Sequence, residues 1–186
     1  MRNILFILMF SASLQGCFPV VAAGAGAGVL MAQDRRTSGA YVEDEAIEAK
    51  AFDRIGKQFK DTVHVNVTSY NRNVLITGEV PDEATKAQVE RIVANILNVG
   101  KIHNELVIAG LSSLTSRSND TLITSNVKLR FVGDKRFSAN SIKVVTENGI
   151  VYLMGIVNHA EAAAAGEVAS GSQGVSRVVE LFEYVN

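Results

Sequence analysis

Apolar and polar positions follow the same order along two stretches of the chain, about 77 residues apart. In the first, His64-Val65-Asn66-Val67-Thr68 and Asn73-Val74-Leu75-Ile76-Thr77-Gly78-Glu79-Val80 read as strands joined by the polar Tyr70-Asn71-Arg72-Asn73. In the second, Ile142-Lys143-Val144-Val145-Thr146 and Ile150-Val151-Tyr152-Leu153-Met154-Gly155-Ile156-Val157 are joined by Glu147-Asn148-Gly149, and Asn-Gly between strands predicts a tight hairpin. Gly78 superposes on Gly155 and Val80 on Val157. Each hairpin is followed by a helical stretch, Asp82 to Asn98 and the Ala-rich Ala160 to Ser172. Alternating runs then close each unit, Lys101 to Ile108 and Arg177 to Tyr184, as strands with one buried face. Upstream of the hairpins, Ile47, Ala51, Ile55 and Phe59, and likewise Ile123, Val127 and Phe131, recur every four residues. That spacing predicts two amphipathic helices, one starting near Asp44 and one capped near Asn119 or Asp120. The fold class is therefore α+β: two tandem αββαβ units, each a small three-stranded mixed sheet packed against two helices.

The amino-terminal region has a different pattern. No charged residue occurs from Asn3 to Gln33, but the stretch is subdivided: Arg2, a compact apolar core from Ile4 to Phe10, then Leu14-Gln15-Gly16-Cys17. This division is that of a cleaved signal peptide, 1–16, and not of a spanning helix. Its end resembles the lipobox of bacterial lipoproteins, which implies diacylation of Cys17, cleavage before it and acylation of the new amino group. Several acyl chains give stable anchoring where one gives only marginal binding. Phe18 follows Cys17 with no Asp after it, and by analogy this points to sorting to the outer membrane. The expected organisation is a lipidated Gly/Ala-rich tether over 17–40, a first domain over 41–110, a linker over 111–118 and a second domain over 119–186. Within the tether, Asp34-Arg35-Arg36-Thr37-Ser38-Gly39 reads as a polar joint.

Composition narrows the chemistry. Of 186 residues, 18 are Lys or Arg and 19 Asp or Glu, a formal charge of −1, so no basic excess points to nucleic acid. A single Cys excludes a disulfide framework and a Cys-rich metal site. His64, His103 and His159 are too scattered for a ligand motif, and no metal is expected. No Gly-x-Ser-x-Gly elbow, Walker loop or His-Glu-x-x-His occurs, and Gly24-Ala25-Gly26-Ala27-Gly28 lacks the βαβ context of a dinucleotide loop. Neither a cofactor nor an enzymatic activity is expected.

The αββαβ order, the hairpin Gly and the closing strand, over about 41 to 186, resemble the BON family of small periplasmic domains thought to attach proteins to phospholipid surfaces. Three strings together resemble the dual-BON outer-membrane lipoproteins within it: Asp34-Arg35-Arg36-Thr37, Ser118-Asn119-Asp120-Thr121, and Thr146-Glu147-Asn148-Gly149 followed by Leu153-Met154-Gly155. The resemblance implies a protein on the periplasmic face of the outer membrane whose second unit binds anionic phospholipid (phosphatidylglycerol, cardiolipin) through its first helix. It further implies support of envelope integrity and concentration at division sites.

The residues themselves also distinguish the two helices. Residues 43 to 61 carry four cations against six acids, and residues 120 to 136 carry four cations against Asp120 and Asp134, so the net charges are −2 and +2. Opposite the inward stripe, the first helix presents Lys50, Asp53 and Lys57, an ordinary solvated face; the second presents Leu122, Leu129 and Val132 with Lys128. Arg130 sits at the flank, and Lys135 and Arg136 follow. The candidate phospholipid-binding set is Leu122, Ser125, Lys128, Leu129, Arg130, Val132, Lys135 and Arg136. Leu122 stands where such proteins typically carry Trp, and it lacks the indole's interfacial preference. The alternative is an interaction module, the same apolar groups packing on the first unit, a second protomer or another envelope protein.

Overall fold

The computed structural model describes residues 34–185. The signal segment 1–16, Cys17 and the tether up to residue 33 lie outside the described residues.

The first unit comprises α1 (Ser38–Phe59), β1 (His64–Tyr70), β2 (Asn73–Val80), α2 (Glu83–Ala94), β3 (Ile102–Asn104) and β4 (Val107–Ile108). The second comprises α3 (Leu114–Gly133), β5 (Ile142–Glu147), β6 (Ile150–Val157), α4 (His159–Ser170) and β7 (Arg177–Tyr184). In each, the hairpin strands are antiparallel and the closing strand returns parallel to the second of them, giving the two mixed sheets of an α+β fold. The closing strand of the first unit is interrupted at Glu105-Leu106, where Leu106 turns into the core; β7 runs unbroken.

Both first helices start earlier than their periodicity indicates. Thr37 caps α1, its Oγ1 accepting from Ala40 N at 3.1 Å, and Ser113 caps α3, its Oγ accepting from Ser116 N at 3.1 Å. Residues 114–118, expected in the linker, are therefore helical. Asp44 and Asp120 are not caps but buried residues within the helices, because each carboxylate is occupied by its unit's hairpin turn. Asp44 accepts from Asn71 N and Arg72 N, both at 2.8 Å, and Asp120 from Asn148 N and Gly149 N at 3.0 and 2.8 Å. These turn residues have φ between 51 and 73°, the left-handed pair of a type I′ hairpin.

The polar joint is likewise tied down and is not part of a loose tether. Arg36 bonds Asp34 and Asp44 and lies over the Tyr70 ring, 4.2 Å from its centroid. Arg35 reaches Glu161 of the second unit at 2.7 Å and the Ile156 carbonyl at 3.0 Å.

The predicted inward stripes are buried, Phe59 at the end of the first only partly. Ile47, Ala51 and Ile55 meet Val74, Ile76 and Val80 of β2, and Ile123, Val127 and Phe131 meet Val151, Leu153 and Val157 of β6. The expectation of one buried face per closing strand fails for β7, because the sheets pack on each other: Val178 and Phe182 face the helices and Val179 and Leu181 face the other sheet. Leu75 and Tyr70 from one and Tyr152 and Met154 from the other form a third core, with Val179 and Leu181 of β7 against it. The result is four layers, helices–sheet–sheet–helices. Around that core, polar side chains cross between units: Asn71 and Asn73 donate to Glu183, Lys143 to Glu48 at 2.7 Å, and the Tyr70 hydroxyl to the Ser141 carbonyl at 3.1 Å.

Candidate functional site

The outer face of α3 exists because its inner face is fully spent. With Ile123, Val127 and Phe131 buried, every side chain half a turn away must meet solvent. Leu122 is 63% exposed, Leu129 71% and Val132 76%, with both units in place. These residues do not pack on the first unit, so that arm of the alternative is corrected: the units meet through their sheets, on the far side of the helix layer. Leu114, 79% exposed, extends the same stripe by two turns. It escaped the sequence reading because the helix was expected to start only at Asn119 or Asp120. From Leu114 to Val132 the stripe runs about 27 Å along the helix.

The candidate cations fall into two groups. Lys128 and Lys135 are exposed and form no ion pair among the described residues. Arg130 folds back to Ser172 Oγ at 3.0 Å. Arg136 is shared between Asp134 at 2.8 Å and Glu167 at 2.6 Å; these bonds hold its guanidinium above the ordinary arginine range and Asp134 below the carboxylate range. Ser125 is exposed, and its hydroxyl donates to the Thr121 carbonyl of its own helix at 2.9 Å. Lys128 and Val132 also border a cleft between the units, about 400 Å³, whose other walls include Tyr41, Tyr70 and Lys143. No described helix is long and apolar enough to cross a membrane.

The opposing helix is less uniformly polar than its pattern indicated. Phe52 on α1 is 81% exposed beside a groove of about 730 Å³ between α1 and the edge strand β1. Tyr41 and Val42 of the same helix are also exposed, but they lie about three turns from Phe52, with Glu45 and Glu48 between, and make no continuous stripe. Of the histidines, His159 stacks on Tyr184 with ring centroids 4.3 Å apart, and His103 is part-buried, its imidazole lowered by burial and by Lys101. His64 lies between the units, against two carboxylates.

Comparison with known proteins supports the internal repeat: the BON domain family model matches residues 43–110 and again 119–186. Outer membrane lipoprotein DolP of Haemophilus influenzae is 33% identical over 188 residues, covering 100% of this chain and 97% of that protein. The 21 kDa hemolysin of Actinobacillus pleuropneumoniae is 32% identical over 154 residues, 82% of this chain and 79% of the relative. Osmotically-inducible protein Y of Escherichia coli is 26% identical over 145 residues, 75% and 72% of the two chains.

Proposed function

The chain belongs to the BON-domain family as a two-domain protein of the DolP type, and on that premise we propose that it is a non-enzymatic outer-membrane lipoprotein whose second BON domain binds anionic phospholipid. Acylation at Cys17 holds it to the periplasmic leaflet, and the contact supports envelope integrity, including at division sites. The observation that carries this reading is the aliphatic stripe Leu114, Leu122, Leu129 and Val132 bordered by Lys128 and Lys135. Inserted Leu and Val contribute about 1.5–3 kcal/mol each when fully buried, and each Lys about 1 kcal/mol near an anionic surface. Such a contact is weak for a free domain, but an anchored one has a high effective concentration at the membrane.

The test is sedimentation of the unacylated chain, Cys17→Ser, with phosphatidylglycerol vesicles. Binding is expected, and it is lost in the Lys128→Glu, Leu129→Asp double variant. No binding, or equal binding by the double variant, rejects the reading. Photocrosslinking from positions 122 and 129 in cells separates lipid from protein partners: a single protein adduct in place of lipid assigns the stripe to protein docking.

A further inference from the structure

Away from the α3 stripe, the boundary between the two domains buries an unusual set of groups. Glu79 at the end of β2 is 2% exposed and Glu147 at the end of β5 is 6% exposed. Neither pairs with Lys or Arg among the described residues; the only basic group against them is the His64 imidazole, whose Nδ1 is 2.9 Å from Glu79 Oε2 and 3.9 Å from Glu147 Oε1. With a neutral imidazole, two carboxylates thus share a low-dielectric boundary without a compensating cation. Buried charges are tolerated when they are paired or bind a metal.

The hydrogen bonds orient this set. Asn148 of the second domain donates to Glu79 Oε1 at 2.8 Å, and Asn66 of the first donates to Glu147 Oε2 at 3.0 Å. Each carboxylate is therefore held through one oxygen by an amide of the opposite domain, and its other oxygen is turned toward His64 Nδ1. Ser112 Oγ, which also donates to Glu79 Oε2 at 3.0 Å, lies on the same side. The three ligand atoms, one from each residue, lie within 4.8 Å of one another.

We propose that His64, Glu79 and Glu147 form a divalent metal site of the zinc type that clamps the two BON domains together. Bonds of about 2.0–2.2 Å to a tetrahedral ion place its ligands roughly 3.4 Å apart, so the separations from His64 Nδ1, 2.9 and 3.9 Å, each need to change by about 0.5 Å. One nitrogen and two oxygens match Zn²⁺ and its neighbours in the transition series better than Mg²⁺ or Ca²⁺, which favour all-oxygen shells. Asn66 and Asn148 act as the outer shell that fixes the ligating oxygens. A cavity of about 260 Å³, lined by His64, Asn66, Arg117 and Glu147 among others, opens onto the cluster and provides an entry path and room for a water as fourth ligand. Coordination through Nδ1 takes the neutral tautomer of His64 whose proton sits on Nε2, so the imidazole binds the ion without losing a proton. Because His64 and Glu79 come from one domain and Glu147 from the other, the ion stabilises the domain pair and neither domain alone.

The test uses the full chain in detergent, stripped with chelator and titrated with ZnCl₂ by calorimetry, with Co²⁺ as the spectroscopic probe. One equivalent is expected to bind and raise Tm, and the Co²⁺ form is expected to show the intense visible bands of a four-coordinate site. His64→Gln and Glu147→Gln each weaken binding at least tenfold, whereas His103→Gln and His159→Gln leave it unchanged. No uptake, a weak six-coordinate Co²⁺ spectrum, or uptake insensitive to His64→Gln overturns the proposal. The Co²⁺ spectrum of the unmodified chain is decisive even where a variant misfolds.

Discussion

Asp44 and Asp120 occupy equivalent positions on the first helices of the two domains, and each binds the two central amides of its own domain's hairpin turn through both carboxylate oxygens. One side chain thus fixes helix to hairpin in each unit. Asp44 has additional partners, the Ser69 hydroxyl at 2.6 Å and Arg36 at 2.8 Å. Replacing Asp120 with Ala is expected to cost about 1–3 kcal/mol, the loss of charge-assisted hydrogen bonds to backbone. Asp44→Ala is expected to cost more, about 3–5 kcal/mol, because it also strips a buried partner from Arg36. Urea unfolding measures both; equal losses would show that Arg36 is satisfied without Asp44.

The repeated glycines of β2 and β6 are constrained by neighbouring backbone. Gly78 has φ 118°, and a Cβ there would overlap the His64 carbonyl; at Gly155 a Cβ would lie 2.6 Å from the Ser141 carbonyl oxygen. Gly78→Ala combines conformational strain with the clash and is expected to destabilise by about 3 kcal/mol or more, with Gly155→Ala the milder of the two. Thermal unfolding of the two variants checks the order.

Within the candidate phospholipid-binding set, the ion pairs predict an unequal division of labour. Lys128 forms no ion pair among the described residues, whereas Arg136 is already paired with Asp134 and Glu167. Lys128→Ala is therefore expected to reduce binding to phosphatidylglycerol vesicles several-fold more than Arg136→Ala, and both effects shrink with added salt. The reverse order would place the headgroup contact beyond the end of α3. Leu114→Asp is expected to weaken binding as Leu129→Asp does, since both lie on one stripe.

Leu75 carries the contact between the sheets. Leu75→Ala is expected to cost about 2–5 kcal/mol and to shift the NMR signals of Tyr152 and Met154 in the other domain. Signals of Val151 and Leu153, which face the helices of the second domain, should move less. Shifts confined to the first domain would mean that the sheets do not touch in solution.

Acid should release the amino-terminal segment from the second domain. The hydrogen bond from Arg35 holds Glu161 below its ordinary 4.5, and at Asp34 the bonds from Arg36 outweigh the upward push of burial, holding it below 3.8. A carboxyl with a lowered folded-state pKa contributes stability that is full above its unfolded value and lost as pH falls through the folded one. Stability should thus decline below about pH 4.5, and Glu161→Gln should flatten the first part of that decline. Chemical unfolding at a series of pH values reads the slope.

Much of the candidate site was legible in the sequence for a physical reason: the outer face of a helix is the complement of its inner stripe, so Ile123, Val127 and Phe131 identified Leu122, Leu129 and Val132 together. Leu114 was missed because the three polar-rich turns before Ile123 carry no apolar period, and their helicity is set by the Ser113 cap and by Asp120 reaching the hairpin. The burial of Tyr152 and Met154 beside Val151 and Leu153 did have a signature, since β6 is apolar on both faces, which is the mark of a sheet covered on both sides; Leu75 had none, because its face of β2 otherwise carries Asn73, Thr77 and Glu79.

By itself, the sequence determined the repeat, the order of elements, the inward stripes and the hairpin turns, since each depends on spacings of a few residues and on local backbone preference. Family membership and the difference in charge between the two first helices follow from the same short-range information. Only the tertiary structure decided that the sheets pack back to back, that α3 remains uncovered when they do, and that His64, Glu79 and Glu147 meet. Those outcomes depend on which of two apolar sheet faces finds a partner, and residues 68 positions apart, such as Glu79 and Glu147, carry no local sign of their proximity.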